Sequence, residues 1–203
     1  MAEASRVAPA HSRARLRREL AASQILLYGP LLVCALLKPG VTAHEGGISN
    51  YGNYLETAPL YIVAFVANAG CLWAVARAMA TTVLHRFARP LITVCVVELL
   101  VLVSTFPRHF SFTFSYIHDY LGVVQFAVEF LLAGALVLRQ RRAMAGVGLA
   151  IEFAGSLIGL LSALKVDHLL FWGQVIGSLG FSVVLWSTLA DLAIVDRSAR
   201  ATT

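Results

Sequence analysis

Residues 118–163 read HDYLGVVQFAVEFLLAGALVLRQRRAMAGVGLAIEFAGSLIGLLSA. This stretch contains two apolar segments, 118–138 and 143–163, separated by an arginine-rich turn. A helix of roughly 20 apolar residues spans the hydrocarbon core of a bilayer. Each segment carries one glutamate near its middle, Glu129 and Glu152, where a charged side chain is costly and by default marks a functional site. The stretch therefore predicts two neighbouring transmembrane helices that each place a carboxyl group deep in the membrane.

The composition of the whole chain points to the same class of protein. Of the 203 residues, 59% are hydrophobic and 13% are charged, and the mean hydropathy is +0.77. A soluble domain contains about 25% charged residues, so the composition favours an integral membrane protein. The net charge of +5 does not indicate nucleic-acid binding, because the basic residues flank apolar segments and form no basic surface stripe interleaved with aromatics.

Six apolar segments can be read along the chain, and their lengths predict an all-α, polytopic bundle of six transmembrane helices. A transmembrane β-barrel would instead show short segments of alternating hydrophobicity. We expect a six-helix domain at 21–193, between a basic tail at 1–20 that forms a frayed or interfacial helix and a disordered tail at 194–203. The predicted spans are 21–38, 57–77, 90–106, 118–138, 143–163 and 169–190.

Arginines fall mainly on alternate sides of these spans, which predicts the orientation in the membrane. One side carries the basic N-terminal tail, Arg86 with Arg89, the arginines of the turn at 139–142, and the C-terminal tail. Since basic loops stay in the cytoplasm, we expect both termini there and a multi-pass protein of the plasma membrane. The excess of arginine over lysine is typical of a high-GC bacterial source.

The N-terminal segment has a second interpretation as a signal peptide. An apolar run, 25–37, follows basic residues and precedes Val41-Thr42-Ala43, which is similar to a cleavage site. Pro30 interrupts the run, and the run is close to spanning length. We therefore expect residues 1–43 to be retained and to contain the first span.

Two glycine pairs predict close contact between helices. Gly155 and Gly159 lie in the fifth span, and Gly173 and Gly177 lie in the sixth. Small residues at this spacing allow the backbones of membrane helices to approach closely. We expect these pairs to pack within one chain.

A third glutamate, Glu98, lies at the same predicted depth as the two in the quoted stretch. Each of the three is nine or ten residues from the arginine that marks the end of its segment, which corresponds to roughly 14 Å along a helix. No Lys or Arg lies at that depth, and three neighbouring carboxylates cannot all remain charged in a medium of low dielectric constant. We expect their charges to be met by protons, by Asn68 or Gln125 as donors, or by a bound cation.

Other polar residues extend from the glutamates toward the outer side. His118, Gln125 and Glu129 share one helix face, and Tyr61 and Asn68 share another. The cytoplasmic halves of the same spans are almost entirely apolar. We therefore predict a polar funnel that opens to the outside, with the aromatic segment 106–116 as a strand-like lid or as an anchor in the headgroups.

Several residues at the outer rim have the chemistry of zinc ligands or of acid/base catalysts. Their spacing matches no metal-binding motif, and solvated loop residues are the simpler interpretation. The candidate metal ligands are His44, His109, His118, Asp119 and His168.

The first outer loop resembles a known family. The segment Gly47-Ile48-Ser49-Asn50-Tyr51-Gly52-Asn53, followed by Glu56 and Asn68, is similar to the hallmark of the DRAM/Frag/Sfk-type family, which reads Ile-Ser-Asp-x-Gly and then Pro-Glu and an Asn in the second span. Here Asn50 replaces the aspartate and the proline lies after Glu56. His118 with Gly122 is similar to a further His and Gly pattern of the family. The resemblance implies a six-helix membrane protein with lipid-related work on the extracytoplasmic side.

Three functions remain open at this stage. The first is binding or remodelling of a lipid or envelope component in the predicted pocket, and the second is proton- or cation-coupled transport of a small molecule. The third is a metal-dependent hydrolase or transferase. A purely structural role is the remaining alternative, in which protonated glutamates hold helices together. We expect membrane lipids, a cationic or lipid-like ligand, and a second copy or an envelope complex as partners.

Overall fold

The chain is almost entirely helical in the computed structural model, which describes residues 10–43, 47–106 and 111–201. Side chains at the two ends of this range, 10–13 and 190–201, and at residue 43 are not described. The helices are α1 (Ala10–Leu37), α2 (Pro39–Ala43), a 3-10 helix (Ile48–Asn53), α3 (Ala58–Met79), α4 (His85–Thr105), α5 (Phe112–Gln140), α6 (Ala143–Ala163) and α7 (Leu170–Ala201). Within the described residues no strand occurs.

Six of the described helices are long and apolar enough to cross a membrane: α1, α3, α4, α5, α6 and α7. The predicted all-α bundle of six transmembrane helices is therefore confirmed. In each case the apolar segment read from the sequence lies within or overlaps the observed helix.

The largest differences from the predicted bounds are at the helix ends. The segment expected to form a strand-like lid is helical from Phe112, and the rings of Phe112 and Tyr116 pack at 5.0 Å. Alternating aromatics also recur at i and i+4, so one helix face can satisfy the same pattern. The rest of that segment, 107–110, lies outside the described residues. At the other end α7 continues to Ala201, where we expected a disordered tail.

Tight turns make consecutive helices antiparallel neighbours. Arg141 ends α5 with φ 50°, and its N–H donates to the carbonyl oxygen of Val137 at 2.8 Å. Lys165 adopts φ 59° after α6. Left-handed residues at these positions stop a helix and satisfy its last carbonyl groups. The turns therefore place α5 beside α6 and α6 beside α7.

Two apolar clusters divide the bundle along its axis. The first fills the arginine-rich half, and the second fills the opposite half. On α3 the first cluster contains Ala69 and the second contains Phe65, so Asn68 lies at their boundary. On α4 Glu98 lies in the same way between Cys95 and Leu102. A polar layer therefore separates the two clusters at mid-depth. We call the first cluster the inner cluster; it includes Leu72, Val75, Leu91, Val94, Leu132, Leu136, Val184 and Leu185. We call the second cluster the outer cluster; it includes Leu27, Leu31, Ile48, Tyr51, Tyr61, Ala64 and Phe171.

Glycines bring α6 and α7 into direct backbone contact. A Cβ atom at Gly173 would lie 2.6 Å from the backbone nitrogen of Gly159 and 2.9 Å from the carbonyl oxygen of Gly155. A Cβ atom at Gly155 would collide with the backbone of Gly177. Intrachain packing of the two glycine pairs is therefore confirmed, and α6 contacts α7 more extensively than it contacts any other helix.

Candidate functional site

The first element of the polar layer is a hydrogen-bonded pair between α3 and α4. The side-chain amide of Asn68 donates to Glu98 Oε1 at 2.9 Å. Asn68 is 6% exposed and Glu98 is 1% exposed, so both are shielded from the surroundings of the bundle. The remaining oxygens, Asn68 Oδ1 and Glu98 Oε2, have no hydrogen-bond partner among the described residues.

Glu129 on α5 occupies the centre of the layer. It is 4% exposed, and Gln125 one turn away donates to its Oε1 at 3.1 Å. A charge on Glu129 would interact with Glu98 of α4 and with Glu152 of α6. It would also interact with the hydroxyl of Tyr28 on α1. The three glutamates, which come from three helices, therefore form one electrostatically linked group.

Glu152 on α6 has the least polar support of the three. Its side chain is fully buried, and neither of its carboxyl oxygens has a hydrogen-bond partner in the described part of the chain. The backbone of α7 crosses directly over it, since a Cβ atom at Gly180 would lie 2.7 Å from Glu152 Cα and 2.6 Å from the carbonyl oxygen of Gly148. Close packing of α7 therefore removes space at this carboxyl without providing a donor.

The group as a whole has more acceptors than donors. Four of its carboxyl oxygens lack a hydrogen-bond partner among the residues described: Glu98 Oε2, Glu129 Oε2, Glu152 Oε1 and Glu152 Oε2. The ion pairs described join Arg15 to Glu19 and Lys38 to Glu56, and none involves the three glutamates. A buried carboxylate without a basic partner must be neutralised by a proton or a cation. The arrangement is therefore suited to binding positive charge.

A second polar layer lies nearer the outer end of the bundle. His118 on α5 is 5% exposed, and its Nδ1 lies 3.2 Å from the carbonyl oxygen of Val101 and 3.3 Å from the hydroxyls of Ser104 and Thr105 on α4. Thr105 also shares a hydrogen bond with Tyr61 on α3 at 3.3 Å. His118 is eleven residues from Glu129, or roughly 16 Å along the helix. The outer layer and the glutamates are therefore separate levels of the bundle.

The 3-10 helix covers this outer layer. A Cβ atom at Gly52 would lie 2.7 Å from Thr105 Cγ2 and 2.9 Å from Tyr61 Cε1, so only a glycine fits without displacing them. Gln174 of α7 accepts a hydrogen bond from the backbone N–H of Ile48 at 2.7 Å. Thr57 donates to the carbonyl oxygen of Tyr51 at 2.6 Å. Through these contacts the loop segment 47–53 forms a roof over the bundle.

Tyr51 is the aromatic centre of the roof. It is fully buried, and its ring packs edge-on against Phe171 at 6.1 Å. Burial raises the pKa of Tyr51 to about 12, and nearby Cys34 contributes to the same shift. The hydroxyl therefore stays neutral over the physiological pH range.

The predicted funnel is closed in this structure. Tyr61, Asn68, Thr105 and His118 are buried, where an open funnel would leave them accessible from the outer side. The loop segment 47–53 closes the outer side because Gly52 packs directly against Thr105 and Tyr61. A sequence pattern does not reveal this contact. The polar residues form two enclosed layers, and Glu129 belongs to the deeper one.

The candidate metal ligands that lie within the described residues are not close to one another in a metal-binding group. His118 faces the bundle interior, whereas Asp119 and His168 are exposed. His44 and His109 lie outside the described residues. Within the described ranges no group of three or more His, Cys, Asp or Glu side chains has a metal-binding arrangement. Asp167, another acidic residue at the outer end, has a lowered pKa because Ser162 and the backbone N–H of Leu169 donate hydrogen bonds to it.

Two site residues on α1 were missed by the sequence analysis. Gln24 accepts a hydrogen bond from Ser182 on α7 at 2.7 Å, and the hydroxyl of Tyr28 donates to the carbonyl oxygen of Val175 at 3.4 Å. Ser178 on α7 also contacts the hydroxyl of Tyr28. We call these half-buried residues, together with the half-buried Gln125 of α5, the lateral seam. The spacing of Gln24 and Tyr28 at i and i+4 was the available signal.

Fold and site together define a multi-pass integral membrane protein with a buried cluster of carboxyl groups at mid-depth. Comparison with known proteins adds no narrower identity. No protein-family model, curated protein or solved structure matches the chain.

Proposed function

We propose that this protein binds protons or a small cation at Glu98, Glu129 and Glu152 and couples their release to transport of a small molecule. The observation that carries the proposal is the set of four buried carboxyl oxygens without a hydrogen-bond partner among the described residues. Intramembrane carboxyl groups of this kind are typical of proton relays and of coupling sites in transporters. A purely structural cluster would be expected to satisfy its acceptors within the bundle.

The enclosure of the site supports a carrier over a pore. On one side the glutamates face the inner apolar cluster, and on the other lie the outer layer and the roof. A carrier exposes its central site alternately to the two sides of the membrane and closes it in between. The burial of Glu129 agrees with the closed state of such a cycle and supports the proposal.

Proton exchange in proteoliposomes tests the proposal. The protein is reconstituted with a pH-sensitive dye inside, and a sodium chloride or choline chloride gradient is imposed. We expect sodium-dependent or pH-driven proton flux with the wild type and at least a tenfold lower flux with Glu129→Gln, because the central carboxyl is lost.

Glu56→Gln is the matched control. Glu56 is an exposed carboxylate paired with Lys38 at 3.1 Å, and it lies outside the cluster. The control should retain wild-type flux. Equal flux in wild type, Glu129→Gln and protein-free vesicles would remove the basis for coupled transport.

A lipid or another envelope component is the second candidate ligand. The lateral seam favours it, since Gln24, Tyr28 and Ser182 are half-buried in helices that span the hydrocarbon region. Polar groups near the lipid boundary at this depth could receive the headgroup of an amphiphile that enters from the side. The similarity of residues 47–53 to the DRAM/Frag/Sfk-type hallmark supports the same proposal.

Native mass spectrometry distinguishes this second candidate. A co-purifying lipid should be lost in Gln24→Leu with Tyr28→Phe and retained in Thr93→Val, which removes an exposed hydroxyl from α4. Retention of the lipid in both variants would count against the seam as its site. The proposal also places both termini in the cytoplasm of a bacterial plasma membrane, and the arginine distribution supports that orientation.

A further inference from the structure

A separate feature lies at the arginine-rich end of the bundle, between α4 and α5. A groove of about 660 Å³ is lined by Arg86, Phe87, Ala135, Leu138, Arg139 and Arg141. Three guanidinium groups therefore surround a floor that is otherwise apolar. Neither the proposed transport site nor the lateral seam uses any of these residues.

The local fold explains why the arginines converge. Arg86 lies in the first turn of α4, Arg139 lies in the last turn of α5, and Arg141 is the left-handed residue that ends α5. All three side chains are exposed, and within the described ranges none is joined to a carboxylate. The Arg86 guanidinium lies 4.9 Å from the ring centroid of Phe87. The groove thus holds a concentration of positive charge without an internal counterion in the described part of the chain.

An exposed apolar strip leads from the groove along α5. Leu131 is 71% exposed and Leu138 is 78% exposed, and Ala135 between them is also exposed. Their spacing of i, i+4 and i+7 places them on one helix face. The strip lies within a helix that is long and apolar enough to span the membrane, so acyl chains can lie along it.

We propose that this groove binds an anionic phospholipid of the adjacent leaflet. The phosphodiester group would pair with the three arginines, since the planar guanidinium donates paired hydrogen bonds to phosphate oxygens. The acyl chains would lie along Leu138, Ala135 and Leu131. A basic pocket between transmembrane helices, bordering the hydrocarbon region, is the usual form of an anionic-lipid site.

The test compares lipids of different charge on the full-length protein in detergent. Binding of phosphatidylglycerol, phosphatidylcholine and soluble glycerophosphate is titrated by native mass spectrometry. We expect the wild type to prefer phosphatidylglycerol over phosphatidylcholine by at least tenfold, with glycerophosphate bound far more weakly because it lacks acyl chains. Equal binding of the two lipids, or glycerophosphate binding as tight as the lipid, would overturn the proposal.

The variant Arg86→Gln/Arg139→Gln/Arg141→Gln removes the three charges from the groove. Since each basic residue near an anionic surface contributes roughly a fivefold factor, its affinity for phosphatidylglycerol should fall on the order of a hundredfold. The single variant Arg139→Gln, with an expected loss of roughly fivefold, provides the same test if the triple variant does not fold.

The matched control, Arg17→Gln/Arg18→Gln/Arg77→Gln, makes the same change in net charge at exposed positions outside the groove. It should bind phosphatidylglycerol like the wild type. Equal weakening of the groove variant and the control would show that only the overall charge matters and would overturn the site.

Discussion

Replacement of Glu152 by methionine should make the protein more stable and less active. Glu152 is fully buried, and both of its carboxyl oxygens lack a hydrogen-bond partner among the described residues. A buried polar group left without a partner costs about 1–3 kcal/mol. Methionine has a similar length, adapts to irregular space and carries no oxygen to satisfy. The free energy of unfolding of Glu152→Met should therefore rise by about 1–3 kcal/mol.

Glu98→Met is the matched comparison, because it makes the same chemical change at a carboxyl with a partner. Glu98 accepts a 2.9 Å hydrogen bond from Asn68. The substitution removes that bond and leaves the buried amide of Asn68 without an acceptor, which should cost about 1–3 kcal/mol. The same substitution also removes the unpartnered Glu98 Oε2, which offsets part of that cost. The free energy of unfolding of Glu98→Met should therefore be lower than that of Glu152→Met.

The assay is reversible unfolding in mixed micelles by increasing fractions of sodium dodecyl sulfate, followed by circular dichroism, at one pH and one sodium concentration. Proton flux in proteoliposomes is measured on the same preparations. A gain of stability with loss of flux is the pattern of a group retained for function. If Glu152→Met instead loses about 2 kcal/mol or more, Glu152 is a structural member of the bundle and the reasoning is refuted.

Three further outcomes can be checked on the same preparations. Gly180→Leu should destabilise the protein by about 1–3 kcal/mol or more, measured by the same unfolding assay, because a side chain there meets the backbone of Glu152; an unchanged midpoint would contradict the described contact between α6 and α7. Gly52→Val should lower the thermal midpoint and increase hydrogen exchange in 48–53, because the roof must lift from Thr105 and Tyr61; protection equal to that of the wild type would count against the roof. Asp167 has a pKa below its ordinary 3.8 because Ser162 and the Leu169 N–H donate to it, so its contribution to stability is complete above about pH 5 and is lost as the pH falls through the lowered value. The difference in thermal midpoint between wild type and Asp167→Asn should thus be present at neutral pH and disappear in acid; a difference independent of pH would refute the linkage.

The spans and the depth of the glutamates could be predicted from sequence because they depend on local pattern. Apolar length defines a span, and spacing from an arginine defines depth. The contact between α6 and α7 was predictable for the same reason, since Gly155 and Gly173 belong to pairs with a known packing role. These features require no knowledge of which helices are neighbours.

The rest of the site depends on tertiary contacts. Gln24 and Tyr28 join it because α1 packs beside α7, a contact between residues more than 140 positions apart. The closure of the funnel depends on the fit of Gly52 against Thr105 and Tyr61. A loop sequence contains the glycine but not the surface that it meets, so the polar stripe was interpreted as an open funnel.

The most direct measurement of the central claim is infrared difference spectroscopy of the carboxyl groups in reconstituted membranes. A protonated carboxylic acid has a carbonyl-stretching band that a carboxylate lacks, and an isotope-shifted band in heavy water identifies it. We predict such a band near neutral pH in the wild type, with a reversible decrease when pH or sodium concentration is raised and a smaller band in each of Glu98→Gln, Glu129→Gln and Glu152→Gln. A spectrum that lacks the band and does not respond to protons or sodium would contradict the assignment of Glu98, Glu129 and Glu152 as a site for exchangeable positive charge.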